Sequence, residues 1–258
     1  MLKGSREGVS IPLDAGLYGA SLQVKAKDVV TEYINCEALM AFFTTSEEVE
    51  ALLPEGLNLY SNPPNAAVFI ANYPYSTLGP YYEMFSLIQV DFNGSLGYYI
   101  PYIYVTNDAA LAAGREIAGA PKKLAKIELT QELDVVQGIL ERPAGKRLVT
   151  FTMKPNIRAK ELIDTILPKP TYLYSVRHLP PIKGKGGVTQ LIKWYADIDF
   201  HVDPAGERVI FAGPASVTYD SPSVIDPVHK LEIGTMLSAI YFEFDMKLGF
   251  VDILRELR

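Results

Sequence analysis

The chain has 258 residues, 48% of them hydrophobic and 21% charged, with a net charge of −6. That is enough chain to bury a large core, and its Pro- and Gly-rich stretches (61–65, 180–187 and 213–227) are short enough to be loops, so one domain is expected over residues 1–258. An acidic balance without a basic stripe excludes nucleic acid as an expected partner.

In chain order, Met1 to Glu7 lack the apolar core of a signal peptide, and the lone cysteine, Cys36, cannot close an internal disulfide; both fit the cytoplasm. Thr45-Ser-Glu-Glu48 forms a capping box that opens a short helix stopped at Pro54. Strands are predicted over 66–73, 84–92 and 98–105, rich in β-branched and aromatic residues. The apolar run 85–105 is interrupted by Asp91, Asn93, Gly94 and Gly97, so it reads as a hairpin and not as a membrane span, and no membrane partner is expected. Asn107 or Asp108 caps a second helix running through Ile117, whose alanines allow close packing beneath a sheet. Further strands are predicted over 123–130, 147–153, 172–178, 191–201 and 236–247, with short helices over 159–166 and 250–257. Many strands at hairpin-like separations with few helices give an α+β, mostly antiparallel fold, either a barrel or a curved sheet.

Residues 114–123 read Gly-Arg-Glu-Ile-Ala-Gly-Ala-Pro-Lys-Lys, and an apolar strand follows from Leu124. Lys-Lys pairs are common on solvated strand edges, where they discourage aggregation. A lysine held against apolar surface sheds its proton more readily, because desolvation disfavours the charged form, and a free amine attacks a ketone to form a Schiff base. The string Gly-Arg-Glu-Ile-x-Gly-x-Pro-Lys-Lys-Leu resembles the signature of the acetoacetate decarboxylase family. Tyr102-Ile-Tyr-Val-Thr-Asn-Asp-Ala-Ala-Leu-Ala-Ala-Gly114 is similar to the family's strand and small helix before the lysines. Leu53-Pro-Glu-Gly-Leu57 resembles its early helix stop, and Leu78-Gly-Pro-Tyr-Tyr-Glu83 the segment that carries an active-site glutamate. The resemblance runs over residues 20–250 and is most specific over 98–125. It implies a closed, cone-like antiparallel β-barrel with a central pocket, Lys122 as the Schiff-base lysine and Lys123 as the neighbour that tunes its proton affinity.

Strand alternation sends Lys122 and Lys123 to opposite faces, so dryness is expected to favour the free amine at Lys122 more than the charge of Lys123 does. Lys123 then stands between a tuning role and a solvated place on the barrel exterior. By the resemblance Glu83 shuttles protons or holds substrate; the other reading is a solvated hairpin glutamate. Arg115 and Glu116 pair with each other or with neighbours near the helix end, and as a structural ion pair they orient the turn before Lys122. By alternation Tyr102 shares a face with Tyr104, and Ile103 shares the other with Val105. Asn72, Tyr82, Tyr102 and Ile103 are the candidate substrate-pocket residues. His178, His201 and His229 have no metal-ligand spacing, and Lys183-Gly-Lys-Gly-Gly187 lacks the phosphate-loop pattern, so no metal or other cofactor is expected.

The chain departs from the family in two places. No arginine lies between Arg6 and Arg115, so the family's early arginine near the substrate carboxylate has no counterpart; the corresponding stretch is Thr31 to Cys36. Val68-Phe-Ile-Ala-Asn72 lacks a second family glutamate. A substrate carboxylate would have to be met by backbone amides, tyrosine hydroxyls or Asn72, and larger, more apolar oxo compounds are expected to outdo acetoacetate. The first reading is a Schiff-base lyase that decarboxylates a small-molecule β-keto acid, assembled as a homo-oligomer. The same iminium would also serve an aldolase or dehydratase of an oxo acid. A reading of another class is a non-catalytic barrel that binds a small apolar ligand.

Overall fold

The computed structural model describes residues 31–181, 183–184, 186–249 and 251–257. Met1 to Glu7, Lys185 of the glycine-rich connection and Phe250 of the last predicted helix lie outside the described residues. Strand β1 (Thr31–Thr44) leads through a 3-10 turn (Glu47–Leu52) and short β2 (Asn58–Leu59) into β3 (Asn65–Tyr73). After β4 (Tyr75–Ser76) come the hairpin of β5 (Tyr81–Phe92) and β6 (Ser95–Val105), helix α1 (Asp108–Glu116) and β7 (Lys122–Leu124). A meander follows, of β8 (Lys126–Glu132), β9 (Val135–Glu141) and β10 (Arg147–Met153). Short β11 (Ile157–Arg158) and helix α2 (Leu162–Ile166) precede β12 (Thr171–Leu179) and β13 (Val188–Phe200). The later strands are β14 (Ile210–Ala212), β15 (Ala215–Tyr219), β16 (Met236–Leu248) and β17 (Asp252–Glu256).

The ladders run β16-β1-β3-β5-β6-β12-β13, and β13 returns to pair with β16, so the sheet closes on itself. All these pairings are antiparallel except β6–β12, where Tyr98 and Tyr99 run parallel to Leu173 and Tyr174. At that seam Gly97 lies so close to Tyr174 that a Cβ would collide with its ring. A second, four-stranded sheet, β15-β10-β9-β8, packs on the outside. Strand alternation sorts residues between two cores. Ala67, Phe69, Ala71 and Tyr73 of β3 face the inside of the closed sheet, while Ala66, Val68 and Ile70 face the second sheet. Strands covered on both faces read as continuous apolar runs, which is why 66–73 shows little alternation. In β8 only Ile127 and Leu129 are buried, and their neighbours are exposed.

Bulges break the alternation at two places that matter below. In β1 the register shifts between Tyr33 and Cys36, where Asn35 has φ 56° and its N–H donates to Asp245 Oδ1 at 2.8 Å. As a result Tyr33 and Cys36, three residues apart, both face inward. In β6 the shift falls opposite the Ser86–Ile88 stretch of β5 and takes in Pro101, which has no N–H to give a ladder. Beyond it Ile103 and Val105 face inward while Tyr102 and Tyr104 face outward.

Helix α1 is capped by Asn107, whose side chain accepts from the Ala110 N–H. It buries Ala110, Ala113 and Gly114, one face at helical spacing. Four predicted elements differ from the structure. Ser46, not Thr45, caps the first turn, accepting from the Glu48 N–H. The single strand expected over 123–130 is two: the chain leaves the barrel at Ala125 and joins the outer sheet, because β7 pairs with β6 whereas β8 pairs with β9. The helix expected over 159–166 is a single turn from Leu162. The helix expected over 250–257 is strand β17, which satisfies its backbone on Gln190 to Lys193 of β13; a ladder offered by tertiary structure overrides local propensity. Among the described residues no helix is long and apolar enough to cross a membrane.

Candidate active site

Three local features place Lys122. Helix α1 ends at Glu116, and the chain turns through Gly119, at φ 62°, into Pro121. The Lys122 N–H donates to Ala120 O at 2.7 Å, and the Arg115 guanidinium donates to Lys122 O at 3.4 Å. β7 then pairs in parallel with β6, setting Lys122 beside Ile103 and Lys123 beside Tyr104. Because Ile103 faces inward, so does Lys122. Gly114 makes room for its stem: a Cβ there would lie 2.5 Å from Lys122 Cδ and 2.6 Å from Cε.

Lys122 is 8% exposed and its Nζ donates to Glu83 Oε2 at 2.6 Å, a pair buried on both sides. Burying two charges is costly unless they pair and their remaining valences are met. Tyr73 donates to the other oxygen, Glu83 Oε1, at 3.3 Å. Tyr81 lies with its ring centroid 5.6 Å from the Lys122 Nζ and donates to the Tyr33 hydroxyl at 3.1 Å. The three rings pack together, with Tyr73 centred 4.8 Å from Tyr33 and 4.9 Å from Tyr81. Burial pushes the phenols of Tyr33, Tyr73 and Tyr81 well above their ordinary range, and the Glu83 charge adds to the effect, so all three stay neutral donors.

Lys122 stands where two cavities meet. One lies under α1, against Ala110, Ala113 and Gly114; the other fills the closed sheet, against Phe69, Phe85, Ile100 and Phe242. Tyr33 and Trp194 line both. Among the described residues Lys122 and Glu83 are the only charged side chains in these walls. No group of His, Cys, Asp and Glu among the described residues is placed to hold a metal ion.

Lys123 points the other way. Its Nζ donates to Asp226 Oδ1 at 2.8 Å and to the Ile225 carbonyl. Asp226, buried, also receives Arg142 Nε at 3.0 and 3.1 Å and Tyr104 Oη at 3.5 Å. Of the predicted pocket residues, Ile103 lines the Lys122 cavity. Tyr102 and Tyr82 do not: both pack against the outer core, on the faces of β6 and β5 opposite Ile103 and Glu83. Asn72 also sits outside, donating to Glu37 Oε1 at 3.0 Å, one position out of phase with Ala71 and Tyr73. Arg115 and Glu116 both brace the turn: Arg115 donates to the Lys122 carbonyl, and the Glu116 carbonyl receives Arg177 Nε at 2.6 Å. Tyr73 and Tyr81 belong to a sequence cluster among the 16 tyrosines from which one or two pocket residues are expected, whereas Tyr33, Trp194 and Asp226 carry no such signal.

A family model described as acetoacetate decarboxylase matches residues 10–257. Acetoacetate decarboxylase 3 of Mesorhizobium japonicum is 28% identical over 229 residues, covering 87% of this chain and 83% of that protein. The crystal structure of acetoacetate decarboxylase from Legionella pneumophila superposes with a TM-score of 0.80 at 24% identity over 99% of both chains. The enduracididine biosynthesis enzyme MppR, solved with the condensation product of pyruvate and imidazole 4-carboxaldehyde, gives 0.72 at 17% identity over 87% of this chain and 88% of that one.

Proposed function

The chain belongs to the acetoacetate decarboxylase family, and from that premise we propose that it is a Schiff-base lyase that removes CO2 from a β-keto acid. The observation that carries this reading is the Lys122 Nζ–Glu83 Oε2 contact of 2.6 Å in an apolar cavity. The ammonium passes its proton to the Glu83 carboxylate, and the free amine attacks the ketone carbon. Glu83 returns the proton to the carbinolamine hydroxyl, water leaves, and a cationic iminium remains opposite the Glu83 carboxylate. The C–C bond to the carboxylate breaks, its electron pair flows into the iminium as an enamine, and CO2 departs. Glu83, reprotonated from solvent, delivers that proton to the enamine carbon. Water then hydrolyses the new iminium, releasing the ketone and the Lys122 ammonium, so one water is made and used and one proton is consumed. Lys123, held by Asp226 on the far side of the strand, touches none of these atoms.

The same iminium, deprotonated to an enamine, would serve an aldol condensation or dehydration. A protein of this fold holding a condensation product of pyruvate favours keeping that second reading. The test is to supply β-keto acids, and separately pyruvate with an aldehyde, and to follow CO2 and product together. CO2 release from the β-keto acid, lost in Lys122→Ala, supports the lyase. Condensation product without CO2 release overturns it in favour of the aldol reading. No turnover and no borohydride-dependent adduct with any carbonyl overturns both.

A further inference from the structure

We propose that Tyr33 is the specificity-determining hydrogen-bond donor of the Lys122 cavity, receiving the carboxylate of a β-keto acid whose other arm is aryl or bulky alkyl. This deepens the Schiff-base reading and rests on it. Tyr73 gives its hydrogen to Glu83 and Tyr81 gives its hydrogen to Tyr33. The Thr31 hydroxyl, which can give or take a hydrogen, also lies beside the Tyr33 phenol. With the Tyr73 and Tyr81 hydrogens so committed, the Tyr33 O–H is the phenolic hydrogen of the cluster that a guest can draw on, in exchange for its contact with Thr31. Tyr33 also lines both cavities together with Lys122, so a guest bound to Lys122 lies beside the Tyr33 side chain. The bulge at Asn35 is what turns Tyr33 inward; regular alternation back from Cys36 would have placed Ile34 there. Bulges of this kind re-aim side chains next to functional sites.

The charge inventory gives the donor its purpose. With Lys122 and Glu83 the only charged side chains in the described walls, a bound β-keto acid sets its carboxylate against the new iminium and against Glu83. Among the described residues of these walls no second cation offsets the extra negative charge. A neutral phenol can receive the carboxylate without stabilising it as strongly as a cation would, so the charge still gains by leaving as CO2. Binding must then come from the other arm. The walls of the barrel cavity, with Phe69, Phe85, Ile100, Trp194 and Phe242, offer mostly apolar surface for it. Each buried CH2 is worth about 0.8 kcal/mol, roughly fourfold in affinity, so an aryl arm contributes far more than the methyl of acetoacetate.

The experiment compares kcat/KM for acetoacetate and 3-oxo-3-phenylpropanoate in the wild type and in Tyr33→Phe. Alongside it, borohydride trapping of 4-phenyl-2-butanone, a ketone with no carboxylate, reports the same lysine without the proposed contact. The wild type is expected to favour the aryl acid by at least tenfold. Tyr33→Phe is expected to lose about tenfold or more in kcat/KM for the acid, mainly through KM, with a much smaller change in the ketone adduct. Equal use of the two acids overturns the proposed apolar arm, and equal losses for acid and ketone overturn the role of Tyr33, while adduct formation at Lys122 leaves the Schiff-base reading standing. If no ketone is trapped by the wild type, the Schiff-base reading falls and takes this proposal with it. A melting curve of Tyr33→Phe, together with Tyr33→His, which restores a donor, separates misfolding from a lost hydrogen bond; no recovery of acid selectivity in a folded Tyr33→His also counts against the proposal.

Discussion

Lys122 and Lys123 are one peptide bond apart and sit in different surroundings. Lys122 is 8% exposed and faces one carboxylate, Glu83, inside an apolar cavity. The Lys123 side chain is 35% exposed, and it shares Asp226 with Arg142 on the outer side. Inside, one acid and one base form a closed pair between which a proton can pass. Outside, two cations on one carboxylate form a clamp that ties β7 to the loop at Asp226 and to Arg142 at the end of β9. The difference is made by backbone alternation, not by the residue type, which is the same. A dipeptide therefore supplies one amine that faces the cavity and its carboxylate and one that holds the strand.

The comparison can be broken most severely at Lys122 itself. Lys122→Ala is expected to reduce turnover on the order of 10⁴-fold or more, whereas Lys123→Ala changes it by less than about tenfold, in assays of CO2 release. Glu83→Gln follows: it leaves a buried ammonium without its counter-charge, at a cost of about 3–5 kcal/mol in denaturant unfolding. Its turnover is expected to fall about 10²–10⁴-fold. The double change Lys122→Met with Glu83→Gln removes both charges, and much of that stability is expected to return. Asp226→Asn should sharpen the contrast from the other side. The cations it releases reach water, so the expected loss is about 1–3 kcal/mol, with adduct formation at Lys122 retained. Gly114→Ala presses a methyl on the Lys122 stem, costing about 1–3 kcal/mol by overpacking and shifting the amine, which is read as slower trapping. The smallest effect concerns Cys36, which shares the inner face. Burial, aided by the Asp245 charge, pushes its thiol to about 12. A raised value keeps the thiol protonated through neutral pH, so alkylation at pH 8 is expected to be roughly a thousandfold slower in the folded chain than after denaturation, and to rise with pH.

Much of this contrast was legible in the sequence, for particular reasons. Pro121-Lys-Lys-Leu124 next to a small-residue helix pointed to Lys122, and a period of two separated it from Lys123. The same period separates Ile103 from Tyr102, yet both read as pocket candidates in the sequence, since alternation states that two faces differ without stating which is inside. The parallel pairing of Lys122 with Ile103 decides it. Asn72 and Tyr82 were misplaced for the same reason, in strands so apolar on both faces that no pattern marks the interior. Tyr33 was hidden by the Asn35 bulge, which a sequence pattern read at fixed period cannot anticipate. Asp226, 103 residues from Lys123, belongs to a contact that no local signal reports.

We propose that the two adjacent lysines differ because one faces an apolar pocket and its own carboxylate. It is tested most directly by reducing the protein with borohydride in the presence of 3-oxo-3-phenylpropanoate and sequencing the modified 114–123 peptide by fragment mass. The expected result is one adduct, on Lys122, formed equally in Lys123→Arg and absent in Lys122→Arg. An adduct on Lys123, or one divided between the two, would contradict the account.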